Sequence, residues 1–426
     1  MTDRAWGFRT RALHAGGRPD PTTGARAVPI FQTSSYVFED TDDAADLYAL
    51  QKYGMIYTRL GNPTTSAFEE RIASLEGGIG AVAAASGHAA EFLAVTNLAQ
   101  AGDHIVASSS LYGGSITMFS NTLARFGIET TFVDADDVDG FAAAINDRTK
   151  LVFTETVGNP SGVVADLEAL ADVAHAAGLP LFVDSTFATP YLCRPIEWGA
   201  DVIIHSATKF LGGHGTSIGG VVVEAGTFDW GSGRFPNMTE PVASYNGLRW
   251  WDNFGEYAFC SKLRAEQLRD VGATLAPFNS FLFLQGIETL PQRMDAHVAN
   301  AQAVAEWLDA DPRVSWVAYA GLPDSPSHAL AQKYLPKGPG AVFTFGVVGG
   351  REAGQAFIER LQMISHLANV GDAKTLVLHP ASTTHQQLTD EQLDAGGVTP
   401  DMVRLSVGLE DVDDIIWDLD QALGGS

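Results

Sequence analysis

Three short stretches of this chain end apolar runs on reactive or ligand-binding side chains: Ser86-Gly87-His88, Val183-Asp184-Ser185-Thr186 and His205-Ser206-Ala207-Thr208-Lys209. In open α/β sheets, ligands bind beyond the carboxyl ends of the strands, so polar residues at such ends carry most of the functional information. Lys209 closes an apolar run, where an ammonium is partly desolvated. Burial lowers the pKa of a lysine and frees the amine to attack a carbonyl. Ser206 and Thr208 place two hydroxyls beside it, and Gly212-Gly213-His214-Gly215 lets backbone come close. Asp184 closes another strand, where a carboxylate could face a cationic ring nitrogen. Ser86-Gly87 opens a helix whose unpaired backbone N–H groups and dipole make an anion site. An imine-forming amine, an acid for a pyridinium and a phosphate cradle are together what pyridoxal phosphate needs.

Each piece also has an ordinary structural reading. A strand-end lysine can be a solvated tip, Asp184 can be a helix N-cap, and Ser86-Gly87 can be a plain turn. His205 and His214 could suggest a metal, but no third ligand has a recognisable spacing. They read as packing or hydrogen-bonding histidines, and no metal is expected. Gly213-His214-Gly215 is no dinucleotide fingerprint either, because Ile218 stands where the third glycine should be. Strand-end coincidences in the right order along one chain favour the cofactor.

Positioning these residues requires alternating strands and helices. Residues 64–76 put Phe68, Ile72 and Leu75 on one helical stripe. Apolar runs at 81–85, 105–107, 130–133, 151–155, 181–184, 202–205 and 220–224 read as strands, most of them separated by helical stretches such as 167–177. Strands buried on both faces and alternating with helices predict a mainly parallel sheet. The first sixty-odd residues, rich in Gly, Pro and Thr, read as an irregular arm that lies on another part of the protein or on a second subunit. After Phe254 helices dominate, with clear apolar spacing at 294–308 and at Val412, Ile415, Ile416, Leu419 and Leu423, and strands at 342–348 and 402–407. The expected division is an arm over 1–63, a large domain over 64–255 and a smaller α+β domain over 256–426.

Composition narrows the function further. Among 426 residues, 26 Lys+Arg against 51 Asp+Glu leave a net charge of −25, which repels nucleic acid and anionic lipid. With 46% hydrophobic and 18% charged residues there is ample material for packed cores. The polar start and the absence of a long uninterrupted apolar run argue against a secretory signal or a spanning helix. Cys193 and Cys260 are the only cysteines, which excludes a disulfide scaffold and fits a reducing cytoplasm. No fixed-period repeat is present.

The segment from Asp184 to Tyr191 (Asp-Ser-Thr-Phe-Ala-Thr-Pro-Tyr), followed by His205-Ser206-Ala207-Thr208-Lys209-Phe210-Leu211-Gly212-Gly213-His214, resembles the signature of the fold-type I pyridoxal phosphate enzymes of cysteine and methionine metabolism. The likeness runs from Ala12-Leu13-His14-Ala15-Gly16 to the last helix. It implies an α/β fold-type I transferase with a mainly parallel sheet in the large domain. By this resemblance Lys209 forms the imine with the cofactor and shuttles protons, while Asp184 keeps the pyridine nitrogen protonated. Ser206 and Thr208 bind the phosphate with Ser86 and the backbone of Gly87 and His88, and Thr186 joins the cofactor shell. Tyr112, in Leu111-Tyr112-Gly113-Gly114, stacks on the ring and serves as an acid/base. Asn159 sits near the cofactor's O3′, and Arg404 clamps the substrate carboxylate through its planar fork. Tyr57 and Arg59, in Tyr57-Thr58-Arg59-Leu60-Gly61-Asn62-Pro63, reach the phosphate of a neighbouring subunit, Tyr57 facing substrate as well. That implies a homo-oligomer, a tetramer built as a dimer of dimers.

Two stretches resemble the O-acetylhomoserine sulfhydrylase branch: residues 365–374 with His379-Pro380-Ala381-Ser382-Thr383-Thr384-His385, and residues 212–220 with Phe228-Asp229-Trp230. Asn369 then stands where the lyases carry a serine that holds the substrate carboxylate. Two departures are His88, in place of the usual Gln or Met, and Arg249-Trp250-Trp251, in place of the commoner Asn-Tyr-Trp. The implied reaction is γ-replacement of acetate in O-acetylhomoserine by sulfide or a thiol. γ-Elimination, as in methionine γ-lyase, and an O-succinyl substrate are the competing expectations, and a nucleotide-binding dehydrogenase or a non-catalytic α/β module is the alternative from another class.

Overall fold

The structure, a computed structural model, describes residues 5–383 and 398–424. The first four residues of the expected arm, Thr384 and His385 of the branch motif, and the last two residues lie outside the described residues. Runs of Val, Ile, Ala and Phe form seven strands: β1 (Gly80–Ala84), β2 (His104–Ser108), β3 (Glu129–Val133), β4 (Thr149–Glu155), β5 (Leu181–Asp184), β6 (Val202–Ser206) and β7 (Gly220–Glu224). They make one sheet in the order β1-β7-β6-β5-β4-β2-β3. All neighbours from β6 to β3 are parallel, and only β7 runs against its two neighbours. The mainly parallel sheet expected from the buried apolar runs is therefore present. Alternate side chains feed two cores: Val106, Val152, Val183 and Ile203 pack on one face, and Ile105, Leu151, Phe182 and Ile204 on the other.

The register explains why distant sequence stretches meet. Gly220, the first residue of β7, pairs with Ala84 on one side and Ser206 on the other. β1 and β6 consequently end on either side of the start of β7, so the Ser86-Gly87 turn and Ser206 converge over it. A Cβ at position 220 would lie 2.1 Å from the Ser86 carbonyl oxygen, so only glycine permits this approach. The antiparallel β6–β7 connection needs no crossover helix, and it leaves the loop that bears Lys209 at the carboxyl end of the sheet.

A second sheet has the order β10-β11-β12-β9-β8, from β8 (Val314–Ala318), β9 (Val342–Val347), β10 (Ser365–His366), β11 (Leu376–Leu378) and β12 (Met402–Ser406). Helices Leu290–Asp309, Gly350–Arg360 and Val412–Ala422 bury Met294, Val304, Phe357, Ile415 and Leu419 in a core that also contains Val183 and Val221 of the first sheet. The two sheets thus share one hydrophobic interior. The first sixty-odd residues are not wholly irregular, because Phe8–His14 and Thr41–Tyr48 are helical. The second is started by the Asp40 side chain, which accepts from the backbone of Asp42 and Asp43. Strand limits shift from the sequence reading by one or two residues, and the helix expected at 294–308 begins at Leu290.

Candidate active site

A cleft of about 1710 Å³ opens at the carboxyl ends of β4, β5 and β6, and residues of both sheets' loops line it. Lys209 lies in the turn after β6, its backbone N–H donating to the Ser206 carbonyl at 3.2 Å. Its ammonium donates to Asn369 Oδ1 at 2.5 Å. Burial, with the nearby Arg404 cation second, lowers the Lys209 ammonium from 10.5 to about 8. Gly371, at φ 73°, lets the Asn369 loop press on the lysine backbone, since a Cβ there would stand 2.7 Å from Phe210 N.

Asp184 ends β5, is buried, and accepts the Thr186 N–H at 2.8 Å through Oδ1. Thr186 Oγ1 in turn accepts the Ser206 N–H at 2.8 Å, tying the two strand ends together. Ser86 caps helix Gly87–Leu98, accepting from Ala89 N through its hydroxyl. The first N–H groups of that helix have no intrahelical partner. A Cβ on Gly87 would meet the Ser206 Cβ at 2.6 Å and its Oγ at 2.9 Å, so the helix start, the glycine and the Ser206 hydroxyl form one tight cradle. The Thr208 hydroxyl is engaged with Gly219, donating to its carbonyl at 3.2 Å and accepting its N–H at 3.1 Å.

Tyr112 lines the cleft with its ring exposed, edge-on to His88 at 5.5 Å and 85°. Gly114 makes room for both rings, because a Cβ there would lie 2.6 Å from each. Arg404, on β12, donates to Asn159 Oδ1 at 3.3 Å, and burial pulls its guanidinium below the usual range. The structure therefore brings Ser86, Gly87, His88, Tyr112, Asn159, Asp184, Thr186, Ser206, Thr208, Lys209, Asn369 and Arg404 to one cleft. It does not bring Tyr57 or Arg59 there within a single chain. Both are exposed, with the Arg59 guanidinium over the Tyr57 ring at 5.1 Å. Arg249-Trp250-Trp251 does not line it either: Trp250 is core, donating to Glu266 Oε1 at 3.2 Å.

Two site residues escaped the sequence reading. Glu155, the last residue of β4, accepts the Tyr112 N–H at 2.6 Å and lies beside the backbone N–H of Asn159, so it stands between two cleft loops. Glu91 is buried beside Asp184. Both carried a signal: Glu155 is polar at a strand's carboxyl end, and Glu91 is the only acid in an apolar helix. His205 packs inside the sheet, sharing a hydrogen bond of 2.5 Å with Glu76, and among the described residues no group of three or more metal-ligating side chains is found.

These residues fit pyridoxal phosphate. A desolvated amine, a glycine-lined cradle that a Cβ would fill and a buried carboxyl stand in the order that an imine, a phosphate and a pyridine nitrogen require. The comparisons agree. The chain is 52% identical to an O-acetyl-L-homoserine sulfhydrylase of Leptospira meyeri, over 97% of this chain and 96% of that one. It is also 52% identical to a homocysteine synthase of Schizosaccharomyces pombe, over 98% of each. The crystal structure of an O-acetylhomoserine (thiol)-lyase of Campylobacter jejuni, which contains N′-pyridoxyl-lysine-5′-monophosphate, matches with a TM-score of 0.95 at 39% identity, covering 98% of this chain and all of that one. The family model for the Cys/Met metabolism PLP-dependent enzymes spans residues 9–424, and the chain belongs to that family.

Proposed function

We propose that this chain makes L-homocysteine and acetate from O-acetyl-L-homoserine and sulfide, using pyridoxal phosphate. The observation that carries the reading is a Lys209 amine lowered to about 8 in a cleft facing Arg404, in a chain half identical along its length to O-acetylhomoserine sulfhydrylases. Bound pyridoxal phosphate supplies an electron sink for charge that develops on the substrate's carbon chain.

The rest is done by the chain's own groups. Ser86, the N–H groups of Gly87 and His88, the Ser206 hydroxyl and, once turned from the Gly219 carbonyl, the Thr208 hydroxyl would hold the phosphate, and Asp184 would face the pyridine nitrogen. Asn159, Thr186 and Tyr112, which line the same cleft, would hold the ring. Arg404, with Asn369, clamps the substrate carboxylate. Lys209 Nζ, partly neutral near pH 8, removes the Cα proton of the substrate and returns protons as acetate leaves Cγ and hydrosulfide takes its place. The burial that lowers this amine is what makes it a base at working pH.

The same reading has Tyr57 and Arg59 complete the site of a neighbouring copy in a homotetramer, supported by their exposure outside their own cleft. It divides the chain into the arm 1–63 and domains 64–255 and 256–426, supported by sheets that occupy 80–224 and 314–406. It places the protein in the cytoplasm, supported by two unbridged thiols, which a reducing compartment maintains. The test is to incubate the pyridoxal-loaded protein with O-acetylhomoserine, with and without sulfide. Homocysteine made only with sulfide is expected; ammonia and 2-oxobutyrate made regardless of sulfide would overturn γ-replacement.

A further inference from the structure

Glu91 is the one acid of helix Gly87–Leu98, and the fold carries it into the wall of the cleft, only 3% exposed. Its two carboxyl oxygens lie 3.0 and 2.9 Å from Ser115 Oγ. Its carboxyl also lies against that of Asp184, itself buried. An ionised carboxylate only accepts hydrogen bonds, so two buried carboxyls are held against each other only when one carries a proton. Ser115 has a single hydroxyl hydrogen and cannot supply the bond to Asp184. The proton therefore belongs to the acid pair.

The surroundings decide which partner holds it. Asp184 accepts the Thr186 N–H through Oδ1, and His205 on the adjacent β6 favours its charged form. Facing Glu91 are Ser115 and Asp184, with the buried Glu155 of β4 close by; Lys209 and Arg404 also line the cleft. Three acids shut from solvent so close together cannot all be charged. Burial raises both members of the pair, Glu91 well above the usual carboxylate range.

We propose that Glu91 is a neutral carboxylic acid that donates a hydrogen bond to ionised Asp184, making it the positioning residue that aims a single negative charge at the cofactor's pyridine nitrogen. This rests on the pyridoxal phosphate reading and adds to it: the electron sink is tuned by a proton held one residue behind the residue that touches the ring. Glutamine in this place keeps an N–H donor and loses nothing essential, whereas leucine leaves Asp184 without its donor.

The experiment uses the pyridoxal-loaded enzyme and its Glu91→Gln and Glu91→Leu variants. Infrared difference spectra should show a protonated-carboxyl carbonyl band in the parent that Glu91→Gln removes. Glu91→Gln should keep the cofactor's visible band, the pH midpoint of that band and kcat within about threefold. Glu91→Leu should shift the midpoint and lower kcat about tenfold, with KM changed by no more than about twofold. A carboxyl band left at full strength in Glu91→Gln overturns the proposal, even if the leucine variant does not fold. So does a glutamine variant as impaired as the leucine one, which would make the charge of Glu91 the working feature. A parent protein with no bound chromophore would instead defeat the pyridoxal reading itself, so the two failures are told apart.

Discussion

Lys209 Nζ donates to Asn369 Oδ1 at 2.5 Å, joining the loop that leaves β6 of the first sheet to the loop between β10 and β11 of the second. The reactive amine is thus oriented by a residue 160 positions away in sequence. That contact, with Arg404 reaching Asn159 in the opposite sense, means that neither sheet alone makes a complete site.

Removing the acceptor should be felt in substrate use. A hydrogen bond to a charged group contributes about 1.5–3 kcal/mol, so Asn369→Ala should lower kcat/KM for O-acetylhomoserine by about ten- to a hundredfold. Asn369→Asp should act differently. A carboxylate against the ammonium favours the charged amine, so it should raise the pKa of Lys209 as well as slow the reaction. Steady-state kinetics of both variants against pH would check this, and equal profiles would sink it.

Cofactor capture by the cofactor-free protein should follow the neutral fraction of Lys209. Because burial disfavours its ammonium, that fraction rises as pH passes about 8 rather than 10.5. The rate at which the visible band forms on adding pyridoxal phosphate should climb through that midpoint and level off above it. Arg404→Leu removes a repelling cation and should move the midpoint upward. A midpoint near that of free lysine in the parent protein would contradict the burial argument.

Most of this site was legible because the chemistry sits where parallel strands end. Apolar runs that stop at Asp184, Ser206 and Lys209 announce both a strand and its functional tip, and the register of Gly220 then brings Ser86 to Ser206. What stayed hidden depends on depth rather than pattern. Glu91, the one acid of an apolar helix, and Glu155, at a strand end, stand out by position, but only packing shows Glu91 against Asp184 and Glu155 beside it on the neighbouring strand. The engagement of Thr208 with Gly219 is a local backbone contact that residue types do not reveal. The two short helices of the arm lack the length that gives a readable apolar stripe.

Gly87 should tolerate no side chain. A Cβ there would sit 2.6 Å from the Ser206 Cβ and 3.0 Å from its Cα, and the strand backbone cannot yield cheaply. Overpacking of this kind costs about 1–3 kcal/mol, so Gly87→Ala should weaken pyridoxal phosphate binding by about five- to a hundred-and-fiftyfold. The measurement is the dissociation constant by equilibrium dialysis. Unchanged affinity would show that the phosphate does not lie in this cradle.

The exposed Tyr57–Arg59 pair makes a prediction that only a shared site satisfies. If Arg59 of one copy completes the cleft of another, Lys209→Ala and Arg59→Ala chains are each inactive alone and complement when unfolded together and refolded. In a mixed pair with two-fold symmetry, one cleft carries both lesions and the other carries neither. Random pairing then restores about a quarter of the parent activity, since about half the pairs are mixed and half their clefts intact. Sites built within one chain would give no restoration at any mixing ratio. Measuring activity against mixing ratio separates the cases, because the shared arrangement peaks at equal amounts and falls away on either side.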